Sequence, residues 1–133
     1  MGEASQKVIL DAVEALRVLD IELAKETIKM DTVIDDYEAN IERCTTRLLA
    51  LQQPLASDLR LITSSFKIAI DLERMSDLAV NIAEIAEKIE GEHVKQLSDI
   101  SKMGEITENM VKNAQLINVT TAIPPGRKPK LAR

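Results

Sequence analysis

The residues best suited to chemistry in this 133-residue chain are carboxylates spaced to share one face of a helix. Asp31, Asp35, Glu38 and Glu42 follow at intervals of four, three and four, and Glu73, Asp77, Asn81 and Glu84 form a similar series. On an α-helix such intervals set side chains one above another. Stacked like charges repel, at least mildly even in water. The arrangement becomes favourable when a cation sits among them or when Arg and Lys side chains intervene. Oxygen-only ligands suit hard ions such as Mg²⁺, Ca²⁺, Mn²⁺ or ferric iron, and disfavour zinc and copper. Asp31, Asp35, Glu38, Glu73, Asp77 and Asn81 are therefore the candidate metal ligands. The competing reading is a solvated acidic face balanced by Lys29, Lys67 and Arg74; spacing alone does not choose between them.

Little else in the chain offers chemistry. His93, the single histidine, follows Gly91 in a loop and reads as a solvent-exposed turn residue. The single Cys44 excludes an internal disulfide and a Cys-rich zinc site, and its place on an apolar seam reads as a small core residue. No Ser/His/Asp set, glycine-rich phosphate loop or paired acid–base pocket is apparent. The expectation is no enzyme.

The elements that must position the acids are helical. Aromatic residues make up only 2% of the chain, with 4 Gly and 4 Pro, too few for a β-sandwich or barrel. A hydrophobic fraction of 45% is too high for disorder. No apolar run approaches the roughly 18–20 residues of a membrane span, and the opening residues lack secretory-signal character. A soluble, intracellular protein is expected. The net charge is −5, and Arg127, Lys128, Lys130 and Arg133 crowd the end, so the body before them holds 13 basic against 22 acidic groups. An acidic body without Trp repels phosphodiester backbones and lacks stacking platforms, which argues against nucleic-acid binding.

Periodicity places the helices. Val8, Ala12, Ala15, Leu16 and Leu19 share one face of a first segment, about Ser5 to Leu19, and Asp20 follows as an N-cap. Leu23, Thr27, Met30, Ile34, Tyr37, Ile41, Cys44, Leu48 and Leu51 step by four and three, a heptad seam. Pro54 ends that helix by disfavouring helical geometry at Gln53. A third segment restarts near Ser57 and carries a second seam from Leu61 through Ser65, Ile68, Leu72, Met75, Ala79, Ile82 and Ala86 to Ile89, with Gly91 as its stop. The short connection makes the two helices antiparallel. Reversal around Pro54 then sets Asp35 level with Glu73 and Asp31 level with Asp77, with Asp11 at about the height of Lys29 to Asp31. The opposite face of the third helix starts apolar, with Leu59, Ile62, Phe66 and Ile70, which predicts a second contact there.

A fourth segment, about Lys102 to Asn118, places Met103, Ile106, Met110, Ala114 and Ile117 on one stripe. Its start, Met103-Gly104-Glu105, echoes Met1-Gly2-Glu3 at an offset of 102, and the similarity continues to Ala114 against Ala12. This reads as the opening helix of a second repeat. The expected organisation is all-α: an antiparallel bundle of three long helices over residues 1–92, a linker with a shorter fourth helix over 93–118, and a Pro-rich basic tail over 119–133.

The run Gln53-Pro54-Leu55-Ala56-Ser57-Asp58-Leu59-Arg60, continuing through Asp71-Leu72-Glu73-Arg74-Met75-Ser76-Asp77 to Glu84, closely resembles the PhoU family of phosphate-uptake regulators. That family is similar in building tandem three-helix bundles, each with a Q-P-x-A-S-D-L-R turn and acidic E-x-x-x-D or D-x-x-x-D motifs. The motifs fall here on Asp31/Asp35 and Glu73/Asp77. The resemblance covers about Met1 to Ile89 and implies a single-repeat or truncated member, since most of the second bundle is missing. It further implies a cytoplasmic modulator of the phosphate ABC transporter and of a sensor histidine kinase, with a metal ion (iron, Mg, Mn or Ca) at the acidic motifs. Homodimerisation through Leu59, Ile62, Phe66 and Ile70 would restore the two-bundle shape. The basic tail could contact acidic lipid, a peripheral membrane association, although such tails are more often solvated. The alternative is a metal-binding or metal-storing bundle without a phosphate role.

Overall fold

Turn chemistry divides the chain where the periodicity changes. The computed structural model describes residues 1–91 and 97–122, with side chains as far as Ala114. It contains helices α1 (Gly2–Val18), α2 (Ile21–Gln52), α3 (Ala56–Lys88) and α4 (Ser98–Ala122), and no strand among the described residues. Leu19 takes a left-handed conformation, φ 54°, to end α1, and the Asp20 carboxylate accepts the Leu23 N–H at 3.0 Å to start α2. Gln53 is left-handed too, φ 43°, as the proline after it requires a non-helical residue. Ala56 follows at φ 44°, and the chain has reversed. Gly91, φ +93°, lies just beyond the end of α3.

The α2–α3 hairpin is the frame, and α1 lies in its groove, packed against both helices and against α4 on its other side. The core is built largely of small residues: Ala12, Ala15, Ala24, Ala69, Ala79, Ala83 and Ala86 are buried beside Val8, Ile34 and Leu72. Small side chains let helix axes approach closely, so area is buried without aromatics. Three buried hydroxyls return to their own helix: Ser5 Oγ donates to Met1 O at 3.3 Å, Thr27 Oγ1 to Leu23 O at 2.8 Å, and Ser76 Oγ to Leu72 O at 2.9 Å. Each is thereby satisfied where water is excluded.

The seams are buried over only part of their length. With 17 residues against 32 and 33, α1 reaches roughly 25 Å along a hairpin of about 48 Å. Beyond its reach Tyr37, Leu48, Leu51 and Leu61 are exposed, and so is Cys44, contrary to its expected place in the core. The heptad pattern is intact there, but among the described residues no third helix covers it.

The fourth helix is longer than expected, starting at Ser98 and running to Ala122. It also turns a different face inward. Met103, Ile106 and Met110 are exposed, whereas Gly104 and Val111 are buried. Gly104 decides this: a Cβ there would lie 2.9 Å from both Val13 methyl carbons, so only glycine permits this approach to α1. His93, Ile117 and the basic residues of the tail lie outside the residues whose side chains are described.

Candidate metal centre

Asp31 and Asp35 project from consecutive turns of α2, and Asp77 comes from α3. One carboxylate oxygen of each lies within 4.8 Å of the others. The levels expected from reversal around Pro54 are those seen: the Asp31 and Asp77 carboxyls are in hydrogen-bonding contact, and Glu73 feels the charges of Asp35 and Glu38. Asp77 also contacts Glu73, one turn earlier on its own helix.

Electrostatics marks the cluster as strained in its charged form. Asp31 is held above the ordinary carboxylate value, first by desolvation and then by the charges of Asp35, Asp77 and Glu84. Glu73 is raised as well, again by desolvation first, then by Asp77, Glu38 and Asp35. Two carboxyls in hydrogen-bonding contact need a shared proton or a cation between them. Among the described residues no Lys or Arg forms an ion pair with Asp31, Asp35, Glu73 or Asp77; Lys29, Lys67 and Arg74 do not bridge the cluster. Only Glu84, at the margin, is paired, with Lys88 at 3.3 Å.

The donor set fits a hard cation. Oxygens on opposite sides of such an ion stand about 4–5 Å apart, so the observed spread calls for little rearrangement. Asp31, Asp35 and Asp77 would hold the ion directly, with Glu38 and Glu73 adjoining. The Asn81 amide donates instead to the Asp77 backbone carbonyl at 2.9 Å. Asp11 stands apart, with Lys7 and Glu26 as its charged neighbours. Glu84 was outside the expected ligand set although it lies on the same stripe; its effect on Asp31 depends on how α3 is rotated against α2.

Residues 1–86 match the family profile of the PhoU domain. The chain belongs to the PhoU family. Among curated relatives, the Phosphate-specific transport system accessory protein PhoU homolog of Clostridium acetobutylicum is 41% identical over 116 residues, covering 86% of this chain and 53% of that protein. The homolog of Aquifex aeolicus is 45% identical over 115 residues, covering 86% of this chain and 52% of its own length. The chain thus spans about half the length of the PhoU relatives it matches, and the family match takes in both acid pairs, Asp31/Asp35 and Glu73/Asp77. No PhoU helix described here is long and apolar enough to cross a membrane.

Proposed function

We propose that this chain is a non-catalytic, cytoplasmic accessory of phosphate uptake, acting by contact with components of a phosphate ABC transporter and with a phosphate-sensing histidine kinase. The observation that carries this reading is the PhoU domain over residues 1–86, together with relatives that are named phosphate-specific transport accessory proteins. A hard cation at Asp31, Asp35 and Asp77, with Glu38, Glu73 and Asn81 around it, would hold α2 and α3 at a fixed spacing. Leu59 is exposed and Ile62, Phe66 and Ile70 are half-buried, which supports a homodimer through that face of α3.

The decisive experiment is complementation of a bacterial strain lacking its own PhoU. Expression of this chain is expected to restore repression of phosphate uptake in phosphate-rich medium. Unrestored repression with the protein folded and expressed would overturn the regulatory role. Sedimentation equilibrium tests the dimer, which a monomer at micromolar concentration would sink.

The acid cluster without basic partners supports metal binding in either reading; the second is a metal-binding or metal-storing bundle without a phosphate role. Elemental analysis of protein purified without chelator, repeated for Asp35→Ala and Glu73→Ala, tests the metal. Metal content unchanged in both variants would refute the site.

A further inference from the structure

Helix α3 carries a second regular row on the side facing away from the bundle. At about 100° per residue, Arg60, Lys67, Arg74, Leu78 and Ile85 fall within roughly 40° of one another around its axis. Lys67 and Ile85 each stand about two and a half turns from Ser76, which puts the row diametrically opposite that fully buried hydroxyl. All five are exposed, Leu78 at 66% and Ile85 at 55%. Arg74, Leu78 and Ile85 lie along the length over which α3 buries Ala69 to Ala86, so this edge is not bared by the limited reach of α1.

The charges of α3 are sorted around this edge. Of its six carboxylates only Asp71 borders the row; Glu73, Asp77 and Glu84 lie on the metal-centre side, and Asp58 and Glu87 on the side of Ser76. Three of its four cations stand on the row, about 10.5 Å apart, and the fourth, Lys88, pairs with Glu84. None of Arg60, Lys67 and Arg74 is ion-paired among the described residues. A chain with a net charge of −5 thus presents on α3 a line of three cations that runs into two exposed aliphatic side chains.

We propose that this edge of α3 rests on an anionic bilayer surface. Arg60, Lys67 and Arg74 meet lipid phosphates, and Leu78 and Ile85 enter the boundary between headgroups and acyl chains. Cations in line with exposed aliphatics are the composition that holds a helix along such an interface. A protein partner fits less well. A stable interface covers about 800 Å² on each side, and a convex row with two apolar side chains offers no pocket to anchor one. Asp31, Asp35 and Asp77 lie off the row, so an edge-on approach keeps the acid cluster away from lipid of the same charge. The lipid contact agrees with an accessory of a membrane transporter but does not rest on that reading, and either can fail without the other.

Flotation of the full chain with phosphatidylcholine vesicles, with and without phosphatidylglycerol, tests this contact. Binding is expected only with phosphatidylglycerol, and salt should release it. Each Lys or Arg near such a surface is worth about fivefold in binding, so Lys67→Gln with Arg74→Gln should weaken it about thirtyfold. Lys25→Gln with Lys29→Gln removes the same charge from the outer face of α2 and should leave binding unchanged. Leu78→Ser with Ile85→Ser should weaken it about tenfold and keep the phosphatidylglycerol requirement. All these positions are exposed, so circular dichroism should show the helices intact. Equal binding to both kinds of vesicle, or to neither, overturns the proposal. So does binding kept in the α3 variants but lost in Arg127→Gln, Lys128→Gln, Lys130→Gln and Arg133→Gln together, which assigns it to the tail. Release by inorganic phosphate at constant ionic strength, or binding of a Glu-rich helical peptide in place of vesicles, overturns it as well.

Discussion

Asp77 touches two carboxyls at once, Asp31 across the helix pair and Glu73 one turn back on its own helix. The crowding falls on Asp31 and Glu73, each raised first by desolvation and then by the charges of its neighbours. Asp31 and Glu73 have folded-state pKa values raised above their unfolded ones, so the native state binds more protons in the window just above the ordinary carboxylate range. The sign follows: their destabilising effect is complete above the folded pKa and disappears as pH falls through it. The metal-free protein should therefore show a contribution that raises its Tm as pH drops from neutral towards the ordinary carboxylate range. Mn²⁺ at pH 7 should supply the same relief and flatten the profile, and Asp31→Asn with Glu73→Gln should remove the slope; thermal scans by circular dichroism check all three. Asp77→Asn should raise the Tm of the metal-free protein by roughly 2 °C at pH 7 and abolish the rise on adding Mn²⁺. A Tm lowered by that substitution would mean that Asp77 is held by an attraction rather than subject to repulsion.

Helices α1 and α2 end on left-handed residues that carry a Cβ, Leu19 and Gln53. Gln53 is exposed at φ 43°, a conformation costing an L-residue about 1 kcal/mol relative to glycine. Gln53→Gly should therefore stabilise the hairpin by roughly 0.5–1 kcal/mol in urea denaturation, leaving Pro54 to enforce the stop. The opposite holds where α4 meets α1. Gly104→Ala would drive a Cβ to 2.9 Å from the Val13 methyls, and the helices must separate to admit it. A loss of about 1–2 kcal/mol is expected, concentrated in α4, whose amides should exchange hydrogen faster while those of α2 and α3 do not. Gly104 aligns with Gly2 in the sequence echo, but the echo shows only that α4 resembles α1, not which of its faces is covered.

At the scale of the whole molecule, Ile34 is 1% exposed among α1, α2 and α3, and Ile34→Ala should cost 2–5 kcal/mol as one cooperative loss, read as a shifted urea midpoint with unchanged slope. That core was legible only in part. Val8, Ala12, Ala15, Leu16, Thr27, Ile34, Leu72, Ala79 and Ala86 are buried on the expected faces. On α3, however, Ala69, Ser76, Val80 and Ala83 are buried beside the expected seam, while Ile68, Met75 and Ile82 are only half-buried. The four-three steps of α2 and α3, the Asp20 cap, the stop at Pro54 and the two acidic motifs are relations between residues a few positions apart, which a helix turns directly into faces. Reversal around Pro54 even set the level at which Asp31 meets Asp77. The exposure of Cys44, Tyr37 and Leu61 was not legible, because their seam is as regular as the part that is buried. Nor was the inward turn of Gly104 and Val111 in place of Met103 and Met110. By itself, then, the sequence determined the helices, their order, their reversals and the acid stripes. The tertiary structure alone decided which lengths of each seam are covered and which carboxyls touch, because burial depends on what approaches from elsewhere in the chain.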